Sequence, residues 1–405
     1  MATTSLTLLL GPHAKGVLTA AIGECGADVD DLQLADIRVQ PSGAVRARYT
    51  ADVRRSDGSR TREALVAATG DHVPAGATVV AGEHLGEPVE VGVWRFAQDP
   101  ALPALRLVED PPQLANLFSA HGLTLRDRPT IVVRAYRPAQ RAVLEVSDGR
   151  TRWFVKVVRP TAVTGLRVRH DLLAARLPVP PVLAETSDGI VVLPEAPGTL
   201  LRDRLTCDSA SAATGPPPPA DLEKLLDALP DELLGLPLHP STLQRVHDSA
   251  QVLRICAQSD PRVSPTPATE LAGEAARLAD RVLSAAPASS EPQVPVHGDL
   301  YHNQLLTDET QFTGLLDIDT AGPGERADDW ATLLGYLSVL GMSHTPSRRY
   351  CHEVLAYAER RVDPRDLHRR TAAVVLGLAT APFRARLADW PRYAADRLAL
   401  AHEWL

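Results

Sequence analysis

The residues best suited to chemistry lie in one short stretch, residues 294–330. His297 and Asp299 come first, with a glycine between them. Gln304 follows five residues after that aspartate, and an apolar segment then ends at Asp317. A carboxylate can take the proton of an attacking hydroxyl, while an amide oxygen and a second carboxylate can hold Mg²⁺ against the phosphates of ATP. These residue types and spacings predict phosphoryl transfer, with Asp299 as the base and Gln304 and Asp317 as metal ligands.

The loop between the base and the metal ligands leaves one assignment open. Asn303 stands four residues after Asp299 and Gln304 stands five. Either amide offers a carbonyl oxygen, the kind of ligand that a hard cation prefers. We assign Gln304 to the metal, and Asn303 takes that place if the loop is one residue shorter. Gly298 lets the backbone pass close to a substrate because it has no Cβ atom.

This stretch resembles the signature of the aminoglycoside phosphotransferase family of small-molecule kinases. Members of that family read His-Gly-Asp where protein kinases read His-Arg-Asp, and here the triplet is residues 297–299. An apolar strand ending in aspartate follows at residues 314–317, and an Asp-x-Ala that opens a helix follows at residues 329–331. The coincidence of all these parts is far more specific than the triplet alone. The resemblance covers residues 125–405. It implies structural roles for His297, Gly298 and Asp329, with Asp329 bracing the catalytic loop that contains the other two.

The resemblance implies an α+β protein with a bilobal, protein-kinase-like fold and an N-terminal α+β cap domain. We place the cap at residues 1–93, the β-rich N-lobe at 94–200 and the α-helical C-lobe at 201–405. The hinge between the lobes is expected near residues 194–198. The kinase core does not need the cap, so its role is left open.

The resemblance also implies where ATP binds. Lys156 is one of only three lysines and lies in an apolar strand, residues 153–158. The lysine at this position in the family contacts the α- and β-phosphates of ATP. Arg141 belongs to the loop that covers the phosphates, and the backbone of Glu195 and Ala196 is the expected contact for adenine.

The partner of Lys156 is uncertain at this point. Kinases pair this lysine with a glutamate on the following helix, but no glutamate occurs between Lys156 and Pro178. Asp171 is the one acid in the predicted helix, residues 162–176. Either Asp171 replaces the glutamate, or the lysine is held without an ion pair.

The acceptor is expected to be a sugar, because amides and carboxylates bind sugar hydroxyls and aromatic faces pack on sugar rings. Candidate contacts are Tyr301 and His302 beside the base, and Glu403 and Trp404 at the end of the chain; Asp299 itself meets the reacting hydroxyl. The resemblance to actinobacterial maltokinases and glucosamine kinases ranks an amino sugar such as glucosamine first. Maltose or another neutral sugar comes second, and an aminoglycoside third. A net-acidic chain also suits a cationic acceptor.

Hydrophobic patterning and turn residues predict the elements that must position these groups. In the cap we expect a strand at residues 5–10, a helix at 15–25, and strands at 34–40, 44–52 and 61–68. In the N-lobe we expect a helix at residues 110–121, strands at 129–136, 142–146 and 153–158, the helix described above, and a strand at 190–193. In the C-lobe we expect helices at residues 221–228, 240–257, 269–286, 330–340, 346–359, 364–379 and 390–405.

Composition excludes several other classes of protein. The net charge of −8 and the lack of a basic stripe argue against nucleic-acid binding. No apolar run is as long as a membrane span, the start of the chain lacks a basic leader, and the four cysteines form no CxxC pair. We therefore expect a cytoplasmic enzyme that uses ATP and Mg²⁺, with neither nucleic acid nor membrane as partner and with an undetermined oligomeric state. The different-class alternative is a nucleotide-binding regulator that has lost catalysis.

Overall fold

A computed structural model describes residues 2–23, 26–207, 215–238, 240–284 and 292–405. Three parts follow one another along the chain: a sheet packed on two helices, a second sheet packed on two helices, and a helical region that contains two small sheets. The protein is therefore of the α+β class, and it has the two lobes and the N-terminal extension that the sequence predicts. We keep the residue limits of the cap and the lobes as a proposal.

The N-terminal part is an antiparallel sheet in the order β1-β2-β3-β5-β4. Two helices, α1 (Ala2–Leu10) and α2 (His13–Gly23), pack their leucines against it. Its strands are β1 (Ala27–Val39), β2 (Val45–Arg55), β3 (Arg60–Thr69), β4 (Thr78–His84) and β5 (Glu87–Arg95). The sheet runs past residue 93, where we had placed the end of the cap.

Two sequence predictions for the cap differ from the structure. Residues 5–10, predicted as a strand, belong to helix α1. Leu6 and Leu9 are three residues apart and both fully buried, so they lie on one face of the helix. An apolar run this short does not distinguish a helix from a strand by its sequence pattern. The β4–β5 hairpin was not predicted, because its turn is Leu85-Gly86 instead of the usual Asn-Gly. Both turn residues have positive φ, 53° and 78°.

The N-lobe is a second antiparallel sheet, in the order β6-β7-β8-β10-β9. Helix α3 (Pro111–Ala120) packs on one face and α4 (Val163–Ala174) on the other. The strands are β6 (Thr130–Arg137), β7 (Arg141–Ser147), β8 (Arg152–Val158), β9 (Ala184–Glu185) and β10 (Ile190–Pro194). Every strand and helix predicted for this lobe is present with shifts of a few residues. Lys156 lies in β8, the central strand of this sheet.

The C-lobe is mostly helical, with a large buried core around Trp330, Trp390, Tyr350 and Phe383. Its helices are α5 (Leu201–Thr206), α6 (Pro219–Asp227), α7 (Val246–Ser259), α8 (Pro265–Ser284), α9 (Arg326–Gly341), α10 (Thr345–Ala358), α11 (Pro364–Leu378), α12 (Ala381–Arg384) and α13 (Trp390–Glu403). Two small sheets carry the catalytic segment. In the first, β13 (Leu305–Thr307) pairs with β11 (Thr199–Leu200) and with β14 (Phe312–Leu315); in the second, β12 (Val294–Val296) pairs with β15 (Gly322–Gly324).

Within the described residues, no single helix is both long enough and apolar enough to cross a membrane. The pair formed by α1 and α2 passes the same test on length and composition, with an 81° bend between them.

Candidate active site

The catalytic loop begins where β12 ends, and Asp329 holds it in place. Asp329 is buried in the first turn of α9. Its two carboxylate oxygens accept hydrogen bonds from the backbone amides of His297, at 2.8 Å, and Gly298, at 2.9 Å. A buried amide without a partner is costly, so this carboxylate fixes the loop that ends in Asp299. The bracing that the resemblance implied for Asp329 is thus visible in its contacts.

His297 and Gly298 are structural parts of the same loop. The buried imidazole of His297 donates from Nε2 to the Leu316 carbonyl at 2.9 Å, while its Nδ1 accepts from the Asp299 amide at 3.3 Å. Gly298 has a φ of 81°, and a Cβ there would lie 2.8 Å from the Thr320 carbonyl oxygen. Only glycine adopts this conformation in this space without strain.

Asp299 sits at the end of this loop in a partly buried position. Burial raises the pKa of its carboxyl group to about 6. The charge of Asp317 acts in the same direction, whereas those of His297, Arg137 and Arg141 oppose it. A carboxyl group with this pKa is mostly ionised at neutral pH, yet it is a better proton acceptor than an ordinary aspartate. The role of Asp299 as the general base stays a prediction, and a raised pKa is consistent with it.

Gln304 and Asp317 lie side by side, as the sequence predicts for metal ligands. Gln304 is buried, and its Nε2 lies 3.4 Å from Asp317 Oδ2. The amide oxygen of Asn303 instead contacts the His302 ring at 3.0 Å. These contacts favour Gln304 over Asn303 as the metal ligand. Asp317 follows β14 in a left-handed conformation with a φ of 52°, which is rare for a residue other than glycine and recurs at functional sites.

Two cations neutralise the carboxylates of this site. Arg141 binds both oxygens of Asp317, at 2.8 and 2.6 Å, and reaches Asp319 at 2.7 Å. The buried Lys156 lies 3.3 Å from Asp317 and 2.5 Å from Asp319. Burial alone would raise the pKa of Asp317, but the charges of Lys156 and Arg141 hold it well below its ordinary value. Lys156 and Arg141 thus lie in the metal-ligand cluster, next to the expected place of the ATP phosphates.

The oxygen atoms of this cluster fit Mg²⁺. Mg²⁺ is usually held by one or two carboxylates together with substrate phosphates and water, in place of a complete protein cage. Asp317, Asp319 and the Gln304 amide supply oxygens of that kind, and the Arg141 guanidinium stands where positive charge is required. No group of three or more His, Cys, Asp or Glu side chains suited to a metal occurs in the described parts of the chain.

The partner of Lys156 is not on helix α4. Asp171 is bound by Arg167 at 2.7 and 2.8 Å, and its side chain is 55% exposed. His170, the residue before it, is buried and bonds to the Pro180 carbonyl at 2.8 Å. Both possibilities that the sequence left open, pairing with Asp171 and the absence of an ion pair, are wrong. Lys156 is held by the aspartates of the C-lobe, Asp317 and Asp319.

Residues 194–198, which the sequence predicts as the hinge, begin at the end of β10. The side chain of Glu195 forms an ion pair with Arg152, and its amide donates to the Arg152 carbonyl at 3.3 Å. The Ala196 amide and the Glu195 carbonyl make no hydrogen bond to any described group. The predicted contact of these two backbone groups with adenine stays a prediction. The Glu195 side chain points at Arg152 and is not required for that contact.

The loop that joins β6 and β7 is anchored on the N-terminal sheet. Asp99, which is buried, accepts from the Tyr136 hydroxyl at 2.7 Å and from the Ala139 amide at 2.6 Å. The Ala139 side chain packs into a cluster with Val66 and Trp94 of the cap. Arg141 stands two residues after Ala139 and begins β7, so these contacts help to position this arginine.

Aromatic side chains border Asp299 on the acceptor side. The Tyr301 ring stacks on Tyr336 with centroids 4.2 Å apart, and His302 meets the Tyr336 ring edge-on at 5.9 Å. Burial lowers the pKa of His302 to about 4, so this imidazole is neutral. Burial, and then the charge of Asp299, raises the pKa of Tyr336 to about 12. Tyr336 was missed from sequence, although it lies two helical turns after Asp329 on the same face of α9.

Glu403 and Trp404, the other predicted acceptor contacts, lie elsewhere. They border a cavity of about 670 Å³ between α9, α10, α11 and α13, which contains neither Asp299 nor Tyr301. Trp404 is buried and meets the His368 ring edge-on at 5.4 Å. The structure does not bring this pair together with the base, and their role in acceptor binding stays a prediction.

Comparison with known proteins agrees with this geometry. The model of the phosphotransferase enzyme family, APH, matches residues 139–367, more than half of the chain. A thermostable mutant of aminoglycoside phosphotransferase APH(4)-Ia has a similar fold, with a TM-score of 0.51 and 14% identity over 72% of this chain and 98% of that one. A ternary complex of another mutant of that enzyme with AMP-PNP and hygromycin B gives a TM-score of 0.51 and 15% identity over the same shares. No curated protein sequence matches.

Proposed function

The chain belongs to the phosphotransferase enzyme family, and we propose that it is an ATP-dependent kinase that phosphorylates a hydroxyl group of a small sugar. The observation that carries the proposal is the position of Asp299. Its partly buried carboxylate lies close enough to Asp317, the neighbour of Gln304, and to Tyr301 and Tyr336 for their charges to influence one another. A base near both a metal-binding pair and aromatic side chains is the arrangement that phosphoryl transfer to an alcohol requires.

Each charged group has a part in the proposed reaction. Asp299 accepts the proton of the acceptor hydroxyl while that oxygen attacks the γ-phosphorus, and its pKa of about 6 leaves it ionised and ready to do so at neutral pH. Asp317 and Gln304 would hold Mg²⁺, which supplies charge neutralisation at the phosphates when it is bound. Lys156 and Arg141 lie beside these ligands and bind phosphate oxygens as ATP enters. The Ala196 amide and the Glu195 carbonyl pair with adenine.

The choice of acceptor is the finer part of the proposal. The sequence ranking is retained, with glucosamine first, maltose or another neutral sugar second and an aminoglycoside third. The similarity in fold to a phosphotransferase bound to AMP-PNP and hygromycin B supports a nucleotide and a small hydroxylated acceptor. The reliance on ATP supports a cytoplasmic location.

A direct test measures ADP release with Mg-ATP across a matched panel: glucosamine, N-acetylglucosamine, glucose, maltose and kanamycin. The proposal expects turnover on at least one sugar and none with the Asp299→Asn variant. Turnover on glucosamine and not on N-acetylglucosamine supports the amino-sugar ranking. ATP binding with no turnover on any acceptor would instead support the regulator that has lost catalysis.

A further inference from the structure

A second cavity lies where the cap meets the C-lobe, and we call it the cap–lobe cavity. It has a volume of about 350 Å³. Residues 38–41, at the end of β1 and in the turn after it, form one wall. Helices α7 and α12 and the end of α11 form the other. Its charged lining consists of three arginines, Arg38, Arg245 and Arg384, and one acid, Asp248.

Arg384 is more buried than Arg245. It ends α12 in a half-buried position, and its guanidinium has no hydrogen-bond or ion-pair partner in the described part of the chain. Burial lowers its pKa and the charge of Arg38 acts in the same direction, whereas Tyr336 and Asp36 oppose them. Arg38 is itself bonded to Asp36 at 3.3 Å. Withdrawing an unpaired charge from water is unfavourable, so this cavity has an excess of positive charge that a bound anion would offset.

The remaining lining indicates what kind of anion fits. A guanidinium binds carboxylate and phosphate oxygens with two parallel hydrogen bonds. Ser249 and Gln40 add uncharged donors that bond to no other described side chain or backbone group. Three arginines and two such donors supply more hydrogen bonds than the two oxygens of a carboxylate can accept, but they suit the three terminal oxygens of a phosphate monoester. The cavity volume falls in the range of small-molecule sites, which leaves space for a carbon skeleton beside the phosphate.

We propose that the cap–lobe cavity binds a phosphate monoester of a small molecule, such as a sugar phosphate, through Arg384, Arg245 and Arg38. The product of the proposed reaction has this chemistry. A ligand held by Arg38 of the cap and by Arg245 and Arg384 of the C-lobe joins the two parts. The cavity is distinct from the acceptor position, because its lining includes neither Asp299 nor Tyr301.

The test is calorimetric titration of the full chain, saturated with Mg-AMP-PNP so that the nucleotide site is filled. Glucose 6-phosphate, inorganic phosphate and glucose are compared. We expect glucose 6-phosphate to bind, inorganic phosphate to bind at least tenfold more weakly, and glucose not to bind in this cavity. Arg384→Gln and Arg245→Gln should each weaken glucose 6-phosphate binding at least tenfold. The control is Arg349→Gln, an exposed arginine on α10 that is not part of the lining and should change nothing.

Arg245→Gln separates this cavity from the active site, because Arg245 is exposed and is not one of the principal charges acting on Asp299. Thermal unfolding of each variant establishes that it is folded. The proposal is overturned if glucose 6-phosphate does not bind, or if it binds equally well to folded Arg245→Gln and Arg384→Gln variants. Equal affinity for inorganic phosphate would show that the site takes free phosphate, and the monoester assignment would be wrong. Since binding is measured without turnover, the result does not depend on the kinase proposal.

Discussion

Replacing Asp299 with asparagine should stabilise the protein while abolishing turnover. The side chains have nearly the same shape, but asparagine cannot carry the charge that is costly at this partly buried position. The pKa of Asp299 is about 6 in the folded protein against an ordinary value of 3.8. A difference of about 2 pKa units corresponds to roughly 3 kcal/mol at pH 7.5, since one unit is about 1.4 kcal/mol. The variant loses the base, and it also loses the cost of holding a charged carboxylate at this partly buried position.

The direction in which stability changes with pH follows from proton binding at Asp299. Between pH 3.8 and about 6 the folded protein holds more protons at Asp299 than the unfolded chain does, so the free energy of unfolding falls as the pH rises through this window. Above pH 7 the penalty is fully present, and roughly half of it is present at pH 5 by the same relation. The pKa of about 6 already includes the opposing charges of Arg137 and Arg141.

The assay is thermal unfolding of wild type and Asp299→Asn from pH 5 to pH 8. We expect the variant to unfold roughly 3–6 °C higher at pH 7.5, and the difference to shrink towards pH 5. The control is Asp127→Asn, an exposed aspartate before β6, which should not alter the unfolding temperature. An Asp299→Asn variant that is no more stable than wild type at pH 7.5, or whose advantage does not shrink towards pH 5, would refute the reasoning.

Three further substitutions test separate parts of the site. Arg141→Gln removes the cation bound to Asp317, so we expect Mn²⁺ to bind at least tenfold more tightly. Binding is measured by electron paramagnetic resonance in the absence of nucleotide. Unchanged affinity would show that Arg141 does not compete with the metal. Glu195→Gln should leave the KM for ATP within about twofold of wild type, because this side chain pairs with Arg152 and only its backbone meets adenine. A large rise in that KM would contradict the hinge assignment. Asp329→Ala leaves two backbone amides without hydrogen-bond acceptors, which costs about 1–3 kcal/mol of stability for each amide. The unfolding temperature should therefore fall measurably at every pH from 6 to 8. An unchanged temperature would show that Asp329 does not brace the loop.

The catalytic segment could be predicted because its parts are consecutive. Asp299, Gln304 and Asp317 lie within one stretch whose local turns and short strands fix their spacing. Lys156 was found for a different reason, since an isolated lysine in an apolar strand needs an anionic partner. The contacts of Asp317 and Lys156 agree with both predictions, although no contact by itself establishes a role.

What could not be predicted depends on residues that are distant in sequence. The partner of Lys156 is Asp319, 163 residues away, and local reasoning could only consider Asp171 on the next helix. Tyr336 meets Tyr301 because α9 packs behind the catalytic loop. The hairpin in the cap was not predicted because Leu85 has a positive φ, and turns of this type usually carry asparagine or glycine at that position. Tertiary packing decides the first two cases, whereas an unusual pair of turn residues decides the third.

The most direct test of the account is mass-spectrometric detection of a phosphorylated acceptor after incubation with Mg-ATP. Wild type and Asp299→Asn are compared on the same sugar panel, with ATP binding measured for both. We predict one phosphorylated sugar with wild type, none with the variant, and similar ATP affinity for the two. Equal product formation by Asp299→Asn would contradict the assignment of Asp299 as the base, and with it the proposed mechanism.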